Sequence, residues 1–208
     1  MLNKAVQVFD FLKIKHKHKD QERSISILRY PLVLLHPLLI SLLLSIGTTW
    51  LAYSYEESNY LLSDRFADLF TLLAILPGFY IASLSAISAI NRKAIDKYIN
   101  EDNPPFLIKP NKGFPGTYEQ PLTRRIYLTM LFAYLSAVSL LLTINLTIIR
   151  FLFSIEVIKD FFLLSNFEYI PIVVYFFISV VILFFITQLI LLTLVGINYL
   201  GYSALVNE

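Results

Sequence analysis

The chain has 208 residues, of which 57% are hydrophobic and 15% charged; its formal net charge is +2 and it contains no cysteine. Soluble domains carry about 25% charged residues, and a chain of this size cannot hide so much Leu, Ile and Phe in one water-soluble core. The composition argues against a soluble enzyme. The missing cysteine excludes disulfide scaffolds, thiol catalysis, thiolate zinc sites and iron–sulfur clusters.

Residues 1–30 precede the first long apolar run and form a basic segment with seven Lys/Arg and three acids. Leu2, Ala5, Val6, Phe9 and Leu12 fall at helical spacing, which predicts an amphipathic helix. Lys13, Lys15, Lys17 and Lys19 then alternate with Ile14, His16 and His18. Such a segment serves as an interfacial anchor on anionic lipid or as a docking helix for a cytoplasmic partner, with Phe9, Leu12, Lys13 and Lys15 as the contact residues. It lacks the aromatic platform that direct nucleic-acid binding would require. A metal would need a third ligand beside His16 and His18, so no metal or other cofactor is expected. The late start and full length of the first apolar run do not fit a cleavable signal.

Four apolar stretches, 31–53, 69–90, 126–149 and 171–197, contain no Asp, Glu, Lys or Arg. A membrane helix needs roughly 20 such residues, and none of the stretches shows the alternating polarity of a membrane β-strand. Fourteen of the 17 Lys/Arg lie in the N-terminal segment and in loop 91–125. The positive-inside rule therefore places both termini and that loop in the cytoplasm. The expected fold is all-α: an integral membrane four-helix bundle, N-in/C-in. Its parts are a basic segment (1–30), a first transmembrane hairpin (31–90), a cytoplasmic loop (91–125), a second hairpin (126–197) and a tail (198–208).

Within the spans, His36 precedes Pro37, and Asn145 and Gln188 are polar residues set in hydrocarbon. His36 is a candidate for a hydrogen bond to a neighbouring helix or for proton relay, and Asn145 and Gln188 are candidates for hydrogen bonds between helices or for the lining of a pore. Gly78, Ala82 and Ala86 in the second span, and Ala133 and Ala137 in the third, form small-residue rows that allow close packing within or between subunits. Pro77 offers a kink.

Loop 91–125 is proline-rich yet holds Phe106, Leu107, Ile108, Phe114 and Tyr118. A flexible linker would lack those apolar residues, so an ordered Ω-like loop is expected. Arg92, Lys93, Phe106, Phe114, Tyr118, Arg124 and Arg125 are its candidate partner contacts, the two closing arginines serving either as a topology anchor or as an ion-pairing site. Residues 150–170 are strongly apolar, with Glu156, Lys159 and Asp160 on one face, and read as a helix lying in the outer interface. Motifs of metalloproteases, serine hydrolases and P-loop enzymes are missing, so the chain reads as non-enzymatic.

The layout, with 116–127 (GTYEQPLTRRIY) leading into the third span and 79–91 before the loop, resembles the KwaA membrane subunits of the Kiwa anti-phage defence systems. The resemblance implies a bacterial inner-membrane sensor and scaffold that homo-oligomerises and recruits a cytoplasmic, DNA-binding effector of the KwaB kind. A pore-forming protein, either a channel or a membrane-disrupting effector, is the alternative.

Overall fold

The computed structural model describes residues 6–18, 21–27, 30–54, 66–91, 93–111, 115–158 and 169–200. Among them, four helices are long and apolar enough to cross a membrane: α1 (Leu35–Ser54), α2 (Phe66–Ala89), α3 (Arg124–Ser154) and α4 (Tyr169–Leu200). The chain is a multi-pass membrane protein. α1, at 20 residues, matches the roughly 30 Å hydrocarbon layer. The 31 and 32 residues of α3 and α4 rise about 46–48 Å and overhang it or tilt.

α3 runs past the predicted end of its span. Arg150 is one charge in an apolar run, and neither Gly nor Pro follows to stop the helix, which ends where the Ile155 N–H returns to the Leu152 carbonyl. Of the interfacial helix expected over 150–170, residues 150–154 belong instead to α3, residues 156–158 are helical, and 159–168 lie outside the described residues.

α1 packs along α4 and α2 along α3; α3 and α4 touch less, and α1 and α2 hardly meet. The helices stand in the order α1–α4–α3–α2. The small row that brings two helices close is on α1, where Pro37, Ser41 and Ser45 are buried, because short side chains let backbones approach in lipid. α2 turns the larger Leu73, Tyr80 and Ile87 toward its neighbours. Gly196 on α4 is a second close approach: a Cβ there would meet Phe132 Cζ at 2.8 Å.

The all-α expectation omits a four-stranded antiparallel sheet at the Arg124 end of α3. Its strands β1 (Lys15–His18), β2 (Gln21–Ser26), β3 (Phe106–Pro110) and β4 (Thr117–Pro121) stand in the order β2-β1-β3-β4. The residues before β1 form a 3₁₀ helix, Val6–Lys13, in place of the expected α-helix. Alternation of Lys with Ile and His has the two-residue period of a half-buried strand: Ile14 is fully buried while Lys17 is exposed. The described residues of loop 91–125 include a β-hairpin rather than an Ω-loop, and Gly116, just ahead of β4, has a φ of +137°. The two hairpins share one register pair, Lys15–Phe106. Asn103 Nδ2 reinforces that seam by donating to the Lys17 carbonyl at 2.7 Å, and Lys17 Nζ pairs with Glu119 at 2.6 Å. Ile14, Leu107 and Leu122 continue the helix core into the sheet.

Candidate functional site

The polar groups that join the spans are organised by the prolines. Pro37, in the first turn of α1, has no N–H, so the Val33 carbonyl just ahead of the helix has no backbone donor four residues on. Gln188 of α4 supplies one: its Nε2 donates to the Val33 oxygen at 2.8 Å, and its Oε1 accepts from the Tyr134 hydroxyl of α3 at 3.0 Å. Gln188 is 4% exposed, so both ends of its amide are satisfied inside the protein. Pro77 strands the Leu73 carbonyl in the same way. The Thr143 hydroxyl of α3 lies 3.3 Å from that oxygen and 2.8 Å from the Ser139 carbonyl, placing its single proton between the two. A third tie joins α2 to α4. Thr193 uses its proton on the Leu189 carbonyl at 2.6 Å, so the Tyr80 hydroxyl donates to Thr193 Oγ1 at 2.7 Å.

The Tyr134–Gln188 clasp is linked to the sheet. Phe11 stacks on Tyr134 at 5.3 Å between centroids and also meets Tyr127, while Phe9 approaches Tyr134 edge-on. Ile14, just beyond the 3₁₀ helix, opens the hairpin by accepting the Ile27 N–H at 2.8 Å. A second clasp is formed by Arg125. Its guanidinium donates to the Ile87 and Ile90 carbonyls at the C-terminal end of α2, at 3.1 and 2.8 Å, and to both Asp96 oxygens, at 2.7 and 3.2 Å. A cation at a helix C-terminus satisfies orphan carbonyls and complements the helix dipole. The hydrogen bond from Arg125 holds the Asp96 carboxyl below the usual carboxylate range. His16 lies 5.5 Å from the Tyr30 ring, and burial lowers its pKa.

The sequence-predicted contact residues divide into three groups. Phe9 and Leu12 pack on the core, Phe106 is buried beneath the Lys17 ammonium, and Arg125 is engaged within the chain. Lys13 (paired with Asp10), Lys93 and Tyr118 are exposed; Lys15 and Arg124 are half-buried; Arg92 and Phe114 lie outside the described residues. Exposed Tyr98 and Ile108, which were not among the predicted contact residues, lie at the same end as Tyr118, with Ile108 and Tyr118 on opposite faces of the β3–β4 hairpin because Ile108 pairs with Glu119 and Lys109 with Tyr118. Among the intramembrane candidates, Gln188 forms the clasp. His36 is exposed at the start of α1, and Asn145 is exposed, donating back to the Leu141 carbonyl. Ala133 and Ala137 are half-buried, whereas Gly78, Ala82 and Ala86 face outward, with nothing within 4 Å of a Cβ placed on Gly78. No family model matches the chain, and neither does any curated protein or solved structure.

Proposed function

We propose that the chain is a non-enzymatic membrane sensor and scaffold whose sheet faces the cytoplasm and recruits a soluble effector. The observation that carries this reading is the sheet itself. Two segments far apart in sequence fold together against the spans, fastened by Phe11 to Tyr134 and by Arg125 to the end of α2. Tyr98, Ile108 and Tyr118 stand exposed beside it, at 43–46%. Exposed apolar side chains on a solvated, membrane-anchored platform are the raw material of a protein contact. The concentration of Lys/Arg in the two segments that build this end supports the N-in/C-in orientation.

The resemblance to KwaA supplies the setting: the bacterial inner membrane, an assault by phage, and a DNA-binding effector as the recruited partner. The outward row Gly78, Ala82 and Ala86 is the face assigned to homo-oligomerisation. The pore alternative receives less support, because Gln188, the most buried amide in the described spans, is consumed by Tyr134 and Val33 rather than open to a channel.

The test is affinity purification of the full chain from its host in mild detergent, beside an Ile108→Asp, Tyr118→Asp variant. A stoichiometric nucleic-acid-binding protein, retained by the wild type and lost by the variant, supports recruitment through the sheet. Ile108→Asp and Tyr118→Asp alter opposite faces of the hairpin, so an effector that survives the double variant refutes recruitment through either face. A chain that elutes alone and conducts ions in planar bilayers replaces the scaffold with the pore. Arg125→Glu is unsuitable here, because it would break the internal clasp before testing any partner.

A further inference from the structure

A half-open groove of about 460 Å³ lies between α3 and α4. Val138, Leu142 and Leu146 of α3 and Val181 and Phe185 of α4 line its walls, and Phe9 of the 3₁₀ helix closes one end. From Tyr134 to Ile149 it follows α3 for about 22 Å, longer than the roughly 15 Å of one leaflet's hydrocarbon. Toward the sheet, α3 and α4 are tied by the Tyr134–Gln188 clasp, the Tyr127–Tyr199 ring contact and the close approach at Gly196.

At this depth an unfilled groove would forfeit dispersion contacts along its whole lining, and a lining that is apolar apart from Asn145 and the Tyr134 hydroxyl gives water few partners. Hydrocarbon is the natural occupant. The groove also points to a particular headgroup. Val138, Leu142 and Leu146 recur at intervals of four residues, and the next member of that row is Arg150. Arg150 is exposed, and among the described residues no carboxylate pairs with it. We propose that the groove holds an acyl chain of an anionic phospholipid from the leaflet remote from the sheet, with Arg150 on its phosphate. A guanidinium matches phosphate oxygens in geometry as well as charge. The acyl chain would reach past the bilayer midplane and end against Phe9 and Leu12. This assignment does not depend on recruitment of any effector.

The chain has no cysteine, so single thiols report local access cleanly. The full chain carrying Val181→Cys, on the groove wall, or Ile190→Cys, similarly exposed on α4 but outside the lining, is delipidated in detergent. Each is then labelled with a maleimide while phosphatidylglycerol or phosphatidylcholine is titrated in. Phosphatidylglycerol is expected to protect Val181→Cys but not Ile190→Cys, and Arg150→Gln to remove roughly fivefold of its advantage over phosphatidylcholine. Native mass spectrometry should find a retained phospholipid on the wild type and at least tenfold less on Leu142→Trp, which fills the groove. Equal protection at both thiols, or full lipid retention by a folded Leu142→Trp protein, overturns the proposal. So does Leu142→Trp abolishing a dimer while lipid retention is unchanged, since the groove would then be an interface with a second copy.

Discussion

Gln188→Leu removes both hydrogen bonds of the α1–α4–α3 clasp while nearly preserving side-chain volume, so the cavity contribution is small. Side-chain hydrogen bonds between membrane helices average about 0.6 kcal/mol and reach about 1.7. The Tyr134 hydroxyl loses its acceptor, and the Val33 carbonyl loses its donor and cannot regain one from the backbone, because Pro37 has none to give. An acceptor orphaned in a dry interior costs about 1–3 kcal/mol. The expected loss is therefore about 2 kcal/mol, measured by reversible unfolding in mixed micelles. Pro37→Ala supplies an internal control. It restores the N–H that the Val33 carbonyl lacks, so it should recover about 1 kcal/mol in the Gln188→Leu background and recover less, or cost stability, in the wild type. The difference between those two effects is a coupling energy of the kind double-mutant cycles isolate. Equal effects of Pro37→Ala in the two backgrounds, or a Gln188→Leu cost below about 0.5 kcal/mol, would refute the pairing of proline with polar side chain as the organising contact.

Gly196→Val should lower stability by about 1–3 kcal/mol by overpacking against Phe132, whereas Gly78→Val should leave subunit stability within about 0.5 kcal/mol and weaken self-association, as seen by light scattering. Arg125→Met should speed amide exchange over the last turn of α2 in hydrogen–deuterium exchange. The Asp96 carboxyl titrates below its unfolded value, so the pair's stabilisation is present above the ordinary carboxylate range and is lost as pH falls through the lowered value. His16 has the same direction of shift. Its unfolded imidazole gains a proton first as pH drops below about 6.5, so hairpin stability should decline from there and level off below the lowered folded value. His16→Phe should abolish that slope in a pH series of thermal melts.

The spans were legible because a charge-free run of about 20 residues has few other uses. Which face of each span lies inside was not, because lipid is as apolar as the core. Gly78, Ala82 and Ala86 and Ser41 and Ser45 look alike in sequence, yet the first row faces outward and the second is buried. Period-two alternation was visible in residues 13–18, but a strand needs a partner, and that of β1 across the seam is Phe106, a pairing no local pattern encodes. The proline–polar pairs were half-visible: Pro37 and Pro77 announce orphan carbonyls, while Gln188 and Thr143 announce donors. Only the order of helices joins each donor to its acceptor.

That order also determines how a disturbance of the spans would reach the sheet. β4 ends at Pro121 and α3 begins at Arg124, so the edge strand moves with α3. The β1–β2 hairpin rests on α3 through Phe11 and leads into α1 after Ile27. A tilt of α1 against α3 therefore loads the seam between hairpins, where among the described residues Lys15–Phe106 is the lone register pair, while four pairs join β1 to β2 and five join β3 to β4. Local stability follows the density of such contacts. Amide exchange in nanodiscs should accordingly show Lys15 and Phe106 opening faster than His16 and Leu107 next to them, and Glu119→Gln, which removes the acid facing Lys17, should widen that gap without accelerating the hairpins. Uniform exchange across all four strands would mean that the sheet opens as one unit and that the seam is not its weak line.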